Sequence, residues 1–172
     1  VDMAVKGKLD FADGLVFPDT CLQVRAAASI SRRYLHTGYL DFVQFPVDLR
    51  RQGTVAHVVE RLSKFRSSFE QFVERRIDDD ALLNSLAIYD ANRTLLRQLY
   101  GLRRDRPSLL RGRDVQAAVM SSMLMPKEEH SKLLRRLLAE VPNGEPSKKG
   151  DRLFVSGQLC HGLDPAILDL IE

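Results

Sequence analysis

Cysteine is scarce in this sequence: 172 residues hold only Cys21 and Cys160. Two thiols so far apart, with no secretory context, point to a metal or cofactor role or to plain burial rather than to a disulfide framework. Long apolar runs are missing too. None approaches the ~20 residues that a membrane-spanning helix needs, and no cleavable leader pattern opens the chain. The expectation is a cytoplasmic, reduced protein with no membrane partner. The aromatic residues, 7% of the chain, and the ten glycines are not arranged in the patterns by which common RNA-binding folds stack bases or follow a backbone.

What is present is ordinary for a packed protein. Hydrophobic residues at 44% and charged residues at 28% sit near soluble averages, which disfavours disordered and fibrous classes. A chain of this size buries about 70% of its extended surface, enough for one good core or two small domains. The formal charge is +3, with a pI near 9.0. Arginine carries the excess, in the pairs Arg32-Arg33, Arg50-Arg51, Arg75-Arg76, Arg103-Arg104 and Arg135-Arg136 and at Arg111 and Arg113. Most of these fall within or beside amphipathic helical patterns, where a solvated charged face is expected, and a basic balance bears on solubility and association rather than on fold. Nucleic acid is therefore not expected as a partner. A non-catalytic, basic helical interaction or RNA-binding module remains the alternative from another functional class.

The order of patterns divides the chain. Asp13 to Pro18 is a short apolar run stopped by proline, which predicts a buried strand. A helix is expected from about Thr20 to Leu35, then a second strand over Asp41 to Phe45, ended by Pro46. Strand, helix and strand with short joints predict a parallel βαβ unit. Two strands alone do not make a stable α/β domain, so residues 1–53 read as the C-terminal part of one.

From residue 54 to 143 the pattern is helical. Val55, Val58, Val59, Leu62, Phe65, Phe69, Phe72 and Val73 form a near-continuous stripe. A second helix follows Asp78 to Asp80 and ends before Pro107. A third covers Asp114 to about Met123. The fourth opens with Pro126 and Glu128-Glu129, a proline and acids that suit a helix start. Breaker-rich residues after Val141 form a linker. Residues 151–172 then read as strand, glycine turn and a helix capped by Asp164 with Pro165 at its first position, the start of a second α/β domain. On this pattern the chain corresponds to the middle portion of a longer subunit.

Four segments in this order resemble the D-component subunits of 2-hydroxyacyl-CoA dehydratases and their benzoyl-CoA reductase relatives. They are Asp10-Phe-Ala-Asp-Gly-Leu-Val-Phe-Pro-Asp-Thr-Cys21 with Gln23-Val24-Arg25; Tyr89-Asp-Ala-Asn-Arg93 followed by Leu95 to Leu102; Met125-Pro-Lys-Glu-Glu-His130; and Val155-Ser-Gly157 leading to Asp164-Pro-Ala-Ile-Leu-Asp-Leu-Ile-Glu172. The resemblance covers nearly the whole chain. It implies two flavodoxin-like or Rossmann-like parallel-sheet domains with a helical insertion, paired with a related dehydratase or reductase subunit. It also implies a 4Fe–4S cluster held by cysteines from several loops. A separate ATP-dependent activator iron–sulfur protein delivers one electron in such systems. The thioester carbonyl of an acyl-CoA substrate becomes a ketyl radical anion and water departs; the reductase relatives reduce an aromatic ring instead.

Cys21 matches one of the cluster cysteines and is the candidate metal and cofactor ligand. Its expected place, past a strand's carboxyl end and in the first turn of a helix, is where open α/β sheets bind ligands. Backbone N–H groups and the helix dipole at such a place stabilise a thiolate, the form that ligates iron. A cluster normally needs more cysteines than this chain has, so turnover by the chain alone is not expected. Ser156 and Gly157, at the carboxyl end of the second domain's first strand, and Cys160 in the following loop are candidates for substrate contact. Cys160 with His161 is the alternative second ligand pair. Arg25 and Arg50-Arg51 are candidates for the phosphates of coenzyme A, with a surface role the alternative. His36, His57 and His130 read as surface residues.

Overall fold

The computed structural model describes residues 2–48, 50–106, 109–141 and 164–171. The chain is mixed α/β, mostly helical with a small parallel sheet, and forms two compact units, Val1–Asp78 and Asp79–Glu172. The predicted strand over residues 151–156 lies outside the described residues.

The first unit contains α1 (Asp2–Val5), β1 (Gly14–Pro18), α2 (Leu22–Tyr34), β2 (Tyr39–Val43) and α3 (Thr54–Phe72). β1 and β2 pair in parallel, in register from Gly14 opposite Tyr39 to Pro18 opposite Val43. Gly14 sits tight against Tyr39. A Cβ there would lie 2.9 Å from the Tyr39 Cβ, well inside ordinary contact. Pro18 stops β1, and the Asp19 N–H donates to the Val43 carbonyl at 2.8 Å, extending the ladder by one step.

Helix α2 turns its small side chains inward: Ala28 and Ser31 are buried, while Leu22 and Ile30 are exposed. Small residues permit close backbone approach, so this helix lies on the strands along Val24, Ala28 and Ser31 at helical spacing. Arg32 and Arg33 occupy its last turn, where cations complement the helix dipole.

Helix α3 starts from Gly53, held at φ +87°, a backbone conformation that glycine adopts without steric cost. The aromatic half of its predicted stripe packs on the sheet. Tyr39 stacks on Phe72 with ring centroids 4.8 Å apart and meets Phe69 edge-on at 5.9 Å. These contacts put α3 in the same compact unit as the strands. The other half of the stripe is uncovered, with Val55 77% exposed and Val59 and Leu62 also exposed. Length explains the difference. A helix of 19 residues runs about 28 Å at 1.5 Å per residue, whereas five-residue strands reach about 17 Å.

The end of α3 is a Schellman turn. The Arg75 N–H donates to the Glu70 carbonyl at 3.1 Å, and Glu74 sits at φ +52°, a position that favours glycine. Replacing Glu74 with glycine should stabilise the fold by about 1 kcal/mol by removing the left-handed penalty of an L side chain. A denaturant titration with unchanged slope and a higher midpoint checks this.

The second unit contains α4 (Asp79–Asp105), α5 (Gly112–Ser121), α6 (Lys127–Glu140) and α7 (Pro165–Ile171). α4 begins with Asp79 and Asp80 and ends with Arg103 and Arg104, both favourable to its dipole. It stops two residues before Pro107, as a residue preceding proline resists helix. Asp164 and Pro165 act as read from the sequence: the Ala166 N–H donates to the Asp164 carboxylate at 2.9 Å. Leu99, Leu110, Val115 and Leu134 make the core, with Leu95, Leu96, Leu137 and Leu138 packed around it.

A polar lock joins α4 to α6 beside that core. The Asn92 amide nitrogen donates to His130 Nδ1 at 2.8 Å and to Ser131 Oγ at 2.9 Å. His130 Nε2 lies 2.8 Å from the Ala118 carbonyl on α5. Only an N–H can satisfy a carbonyl, so the geometry assigns the proton to Nε2 and leaves Nδ1 to accept. This corrects the surface reading of His130, which is 1% exposed. Its partners lie on two other helices, which no local pattern announces. His130→Ala should cost about 2–4 kcal/mol, because it opens a cavity and removes the buried bridge between Asn92 and the Ala118 carbonyl. Thermal unfolding of the variant checks this, and a loss below about 0.5 kcal/mol would contradict the lock.

Candidate functional site

The loop joining β1 to α2 holds Cys21 two residues beyond Asp19, at the carboxyl ends of the paired strands. Cys21 is a free, half-buried thiol. It occupies the N-cap of α2 with extended backbone, φ −161° and ψ 168°. N-caps ordinarily carry Ser, Thr, Asp or Asn, whose oxygen accepts a first-turn N–H. Cys21 makes no such side-chain hydrogen bond. The residue is therefore a poor choice for local helix stability.

The loop is held by its neighbours. The Arg25 guanidinium donates from Nε to Asp19 Oδ1 at 2.6 Å and from Nη2 to Oδ2 at 2.9 Å. Asp19 raises the Arg25 pKa above its ordinary value, by hydrogen bonding first and by charge second. The Thr20 N–H reaches the Pro18 carbonyl at 2.8 Å, and the Arg25 N–H reaches the Cys21 carbonyl at 3.2 Å. The Arg25 fork is thus engaged by Asp19 within the chain, while its side chain stays 51% exposed. The Asp19–Arg25 pair had no signal in the sequence, because an ion pair six residues apart across a strand–helix joint follows neither strand nor helix spacing.

Other candidates do not converge on Cys21. His36, His57, Arg50 and Arg51 are exposed, and His130 belongs to the α4–α6 lock. Among the described residues no three His, Cys, Asp or Glu side chains gather where a metal ion would sit. Ser156, Gly157, Cys160 and His161 lie outside the described residues. No described helix is long and apolar enough to cross a membrane. The donor set tests the fit to an iron–sulfur cluster: one thiol at a strand's carboxyl end suits a single iron, so Cys21 can hold one corner and the remaining ligands must come from elsewhere.

The class these features define is a βαβ unit presenting a thiol at the sheet's carboxyl edge, followed by a helical unit. The sequence profile of the family described as "2-hydroxyglutaryl-CoA dehydratase, D-component" matches residues 1–172, and the chain belongs to that family. It is 27% identical to one of the benzoyl-CoA reductase subunits of Thauera aromatica over 161 residues, 93% of this chain and 42% of that protein. Identity is 22% to the beta subunit of lactoyl-CoA dehydratase from Anaerotignum propionicum, over 82% of this chain and 37% of that protein. It is 23% to the beta subunit of (R)-2-hydroxyglutaryl-CoA dehydratase from Acidaminococcus fermentans, over 91% and 42%. The chain spans about two fifths of the length of these relatives.

The unfilled cap gives a direct test. In cluster-free protein, Cys21→Ser should raise stability by about 0.5–1 kcal/mol by supplying the missing acceptor. Equilibrium unfolding measures it, and a destabilised variant would show that the thiol is structural.

Proposed function

We propose that this chain is part of an iron–sulfur subunit of a 2-hydroxyacyl-CoA dehydratase, which removes water from an (R)-2-hydroxyacyl-CoA thioester after one-electron activation. The observation that carries the reading is the placement of Cys21 at the N-cap of α2 in a chain of this family. Cys21 holds one iron of a 4Fe–4S cluster. When bound, that cluster supplies the single electron the elimination requires. The remaining ligands come from parts of the subunit that this chain does not include.

The chain's own residues then have defined tasks. Cys21 offers its sulfur at the amino end of α2. Residues 1–53 belong to a flavodoxin-like domain, residues 54–143 to a helical insertion, and residues 151–172 to the start of a second α/β domain. Ser156, Gly157 and Cys160 are the candidates for contact with the acyl-CoA. The site is completed by a related subunit, an ATP-dependent activator iron–sulfur protein delivers the electron, and the assembly works in the cytoplasm.

The 27% identity to a benzoyl-CoA reductase subunit, above that to the dehydratase subunits quoted, favours a second reading. In it the same cluster position serves reduction of an aromatic acyl-CoA. Both readings use Cys21 identically and differ in the substrate that takes the electron.

Iron and sulfide content, with electron paramagnetic resonance, tests the shared part. Anaerobically purified full-length subunit with its partner should carry a stoichiometric cluster, and Cys21→Ser should lose or convert it. Iron-free protein in that state, or an unaltered cluster in the variant, would overturn the proposal. Incubation of the reduced complex with a 2-hydroxyacyl-CoA or with benzoyl-CoA then separates lyase from reductase.

A further inference from the structure

The segment that leads to Cys21 ends two residues further on at Gln23-Val24-Arg25, and the geometry gives that arginine a task which the function above does not use. The Asp19 side chain is 4% exposed although it carries a charge. A buried carboxylate needs a partner to offset the loss of water. Its partner is the two-pronged Arg25 fork, at 2.6 and 2.9 Å, with the Arg25 side chain itself 51% exposed. Asp19 is thus fixed at three points: its N–H on the β2 carbonyl of Val43, and each carboxylate oxygen on Arg25.

Cys21 lies inside the ring this pair closes. Arg25 grips the loop twice, by its side chain on Asp19 and by its backbone N–H on the Cys21 carbonyl. Many helices fix their entry angle by an apolar contact between the residue before the N-cap and the fourth helical residue. Here those residues are Thr20 and Arg25, and Leu22 beside them is 77% exposed. That apolar staple is absent here; the ion pair one residue further back, from Asp19 to Arg25, spans the same joint. A metal ligand in such a loop depends on outer contacts for its orientation.

We propose that the Asp19–Arg25 pair is the positioning device for Cys21, fixing the N-cap backbone so that the thiolate points in one direction at the carboxyl edge of the sheet. The proposal rests on the reading of Cys21 as a cluster ligand. Asp19 and Arg25 act through Cys21 and need no contact with iron or substrate.

The test uses the full-length subunit with its partner, purified anaerobically, as wild type, Asp19→Asn, Arg25→Gln, Cys21→Ser and a control, Arg136→Gln, which breaks an exposed pair in the second unit. Three quantities are read: the paramagnetic resonance signature of the reduced cluster, the rate of iron loss to a chelator, and the alkylation rate of Cys21 resolved by mass spectrometry in cluster-free protein. Asp19→Asn leaves the buried site without its charge and is the milder change; Arg25→Gln strands a buried carboxylate, so its folding is checked by circular dichroism. The expected result is that Asp19→Asn folds as wild type, broadens or shifts the resonance, loses iron about tenfold faster or more, and alkylates faster at Cys21. Arg136→Gln should match wild type in all three.

Asp19→Asn indistinguishable from wild type in resonance and iron loss, while Cys21→Ser abolishes the cluster, overturns the positioning role alone. Faster alkylation without any change in the cluster does the same, since the pair would then hold the loop but not the ligand. A cluster untouched by Cys21→Ser removes the ligand reading, and the positioning role with it.

Discussion

The first unit depends on the parallel pairing of β1 with β2. Five residues on each strand run in register, and the last hydrogen bond of that ladder is made by Asp19, already outside β1. That bond decides where the chain leaves the sheet. From it follow the tight Thr20 turn, the extended backbone at Cys21 and the start of α2. Gly14 at the opposite end lets the strands close to a distance that no side chain would permit. A shift in this register would move the Cys21 loop away from the sheet's carboxyl edge and reverse the face each strand residue presents.

Local stability and chemistry pull against each other at the loop. A serine or aspartate at the N-cap would hold the helix better than Cys21 does. Beside it the buried Asp19 carboxylate is gripped by a half-exposed arginine, an arrangement with a cost: a desolvated carboxylate is tolerable only while its arginine is present. The second unit contains a comparable trade. Asn92, His130 and Ser131 interrupt an otherwise leucine-rich contact, and their hydrogen bonds tie α4 to α6 and α6 to α5. Such a network fixes which helix faces align more sharply than leucines do alone.

Much of the architecture was legible because it follows from periodicity. The proline end of β1, the aromatic spacing of α3 and the Asp164-Pro165 start of α7 each depend on neighbouring residues only, whereas β2 ends at Val43, three residues before the proline expected to stop it. Three features were not legible, each for a physical reason. The exposure of Val55, Val59 and Leu62 reflects a helix longer than the strands beneath it, and an apolar stripe does not say how much of itself will be covered. The burial of His130 depends on Asn92, 38 residues away, and a histidine within a charged segment carries no mark of a distant partner. The ion pair of Arg25 with the aspartate at the far side of the loop crosses a strand–helix joint, where no periodic pattern marks it. The place of Cys21 between a strand end and a helix start was readable from local pattern. For Ser156, Gly157 and Cys160 the reading rests on sequence pattern alone.

The central claim is that Cys21 binds iron from a loop braced by Asp19 and Arg25. An anaerobic crystal structure of the full-length subunit with its partner, with anomalous data at the iron edge, tests it most directly. The account predicts an iron peak bonded to Cys21 Sγ, with the Asp19–Arg25 fork intact beneath it. A cluster bound wholly by other cysteines, with Cys21 turned away, would contradict it.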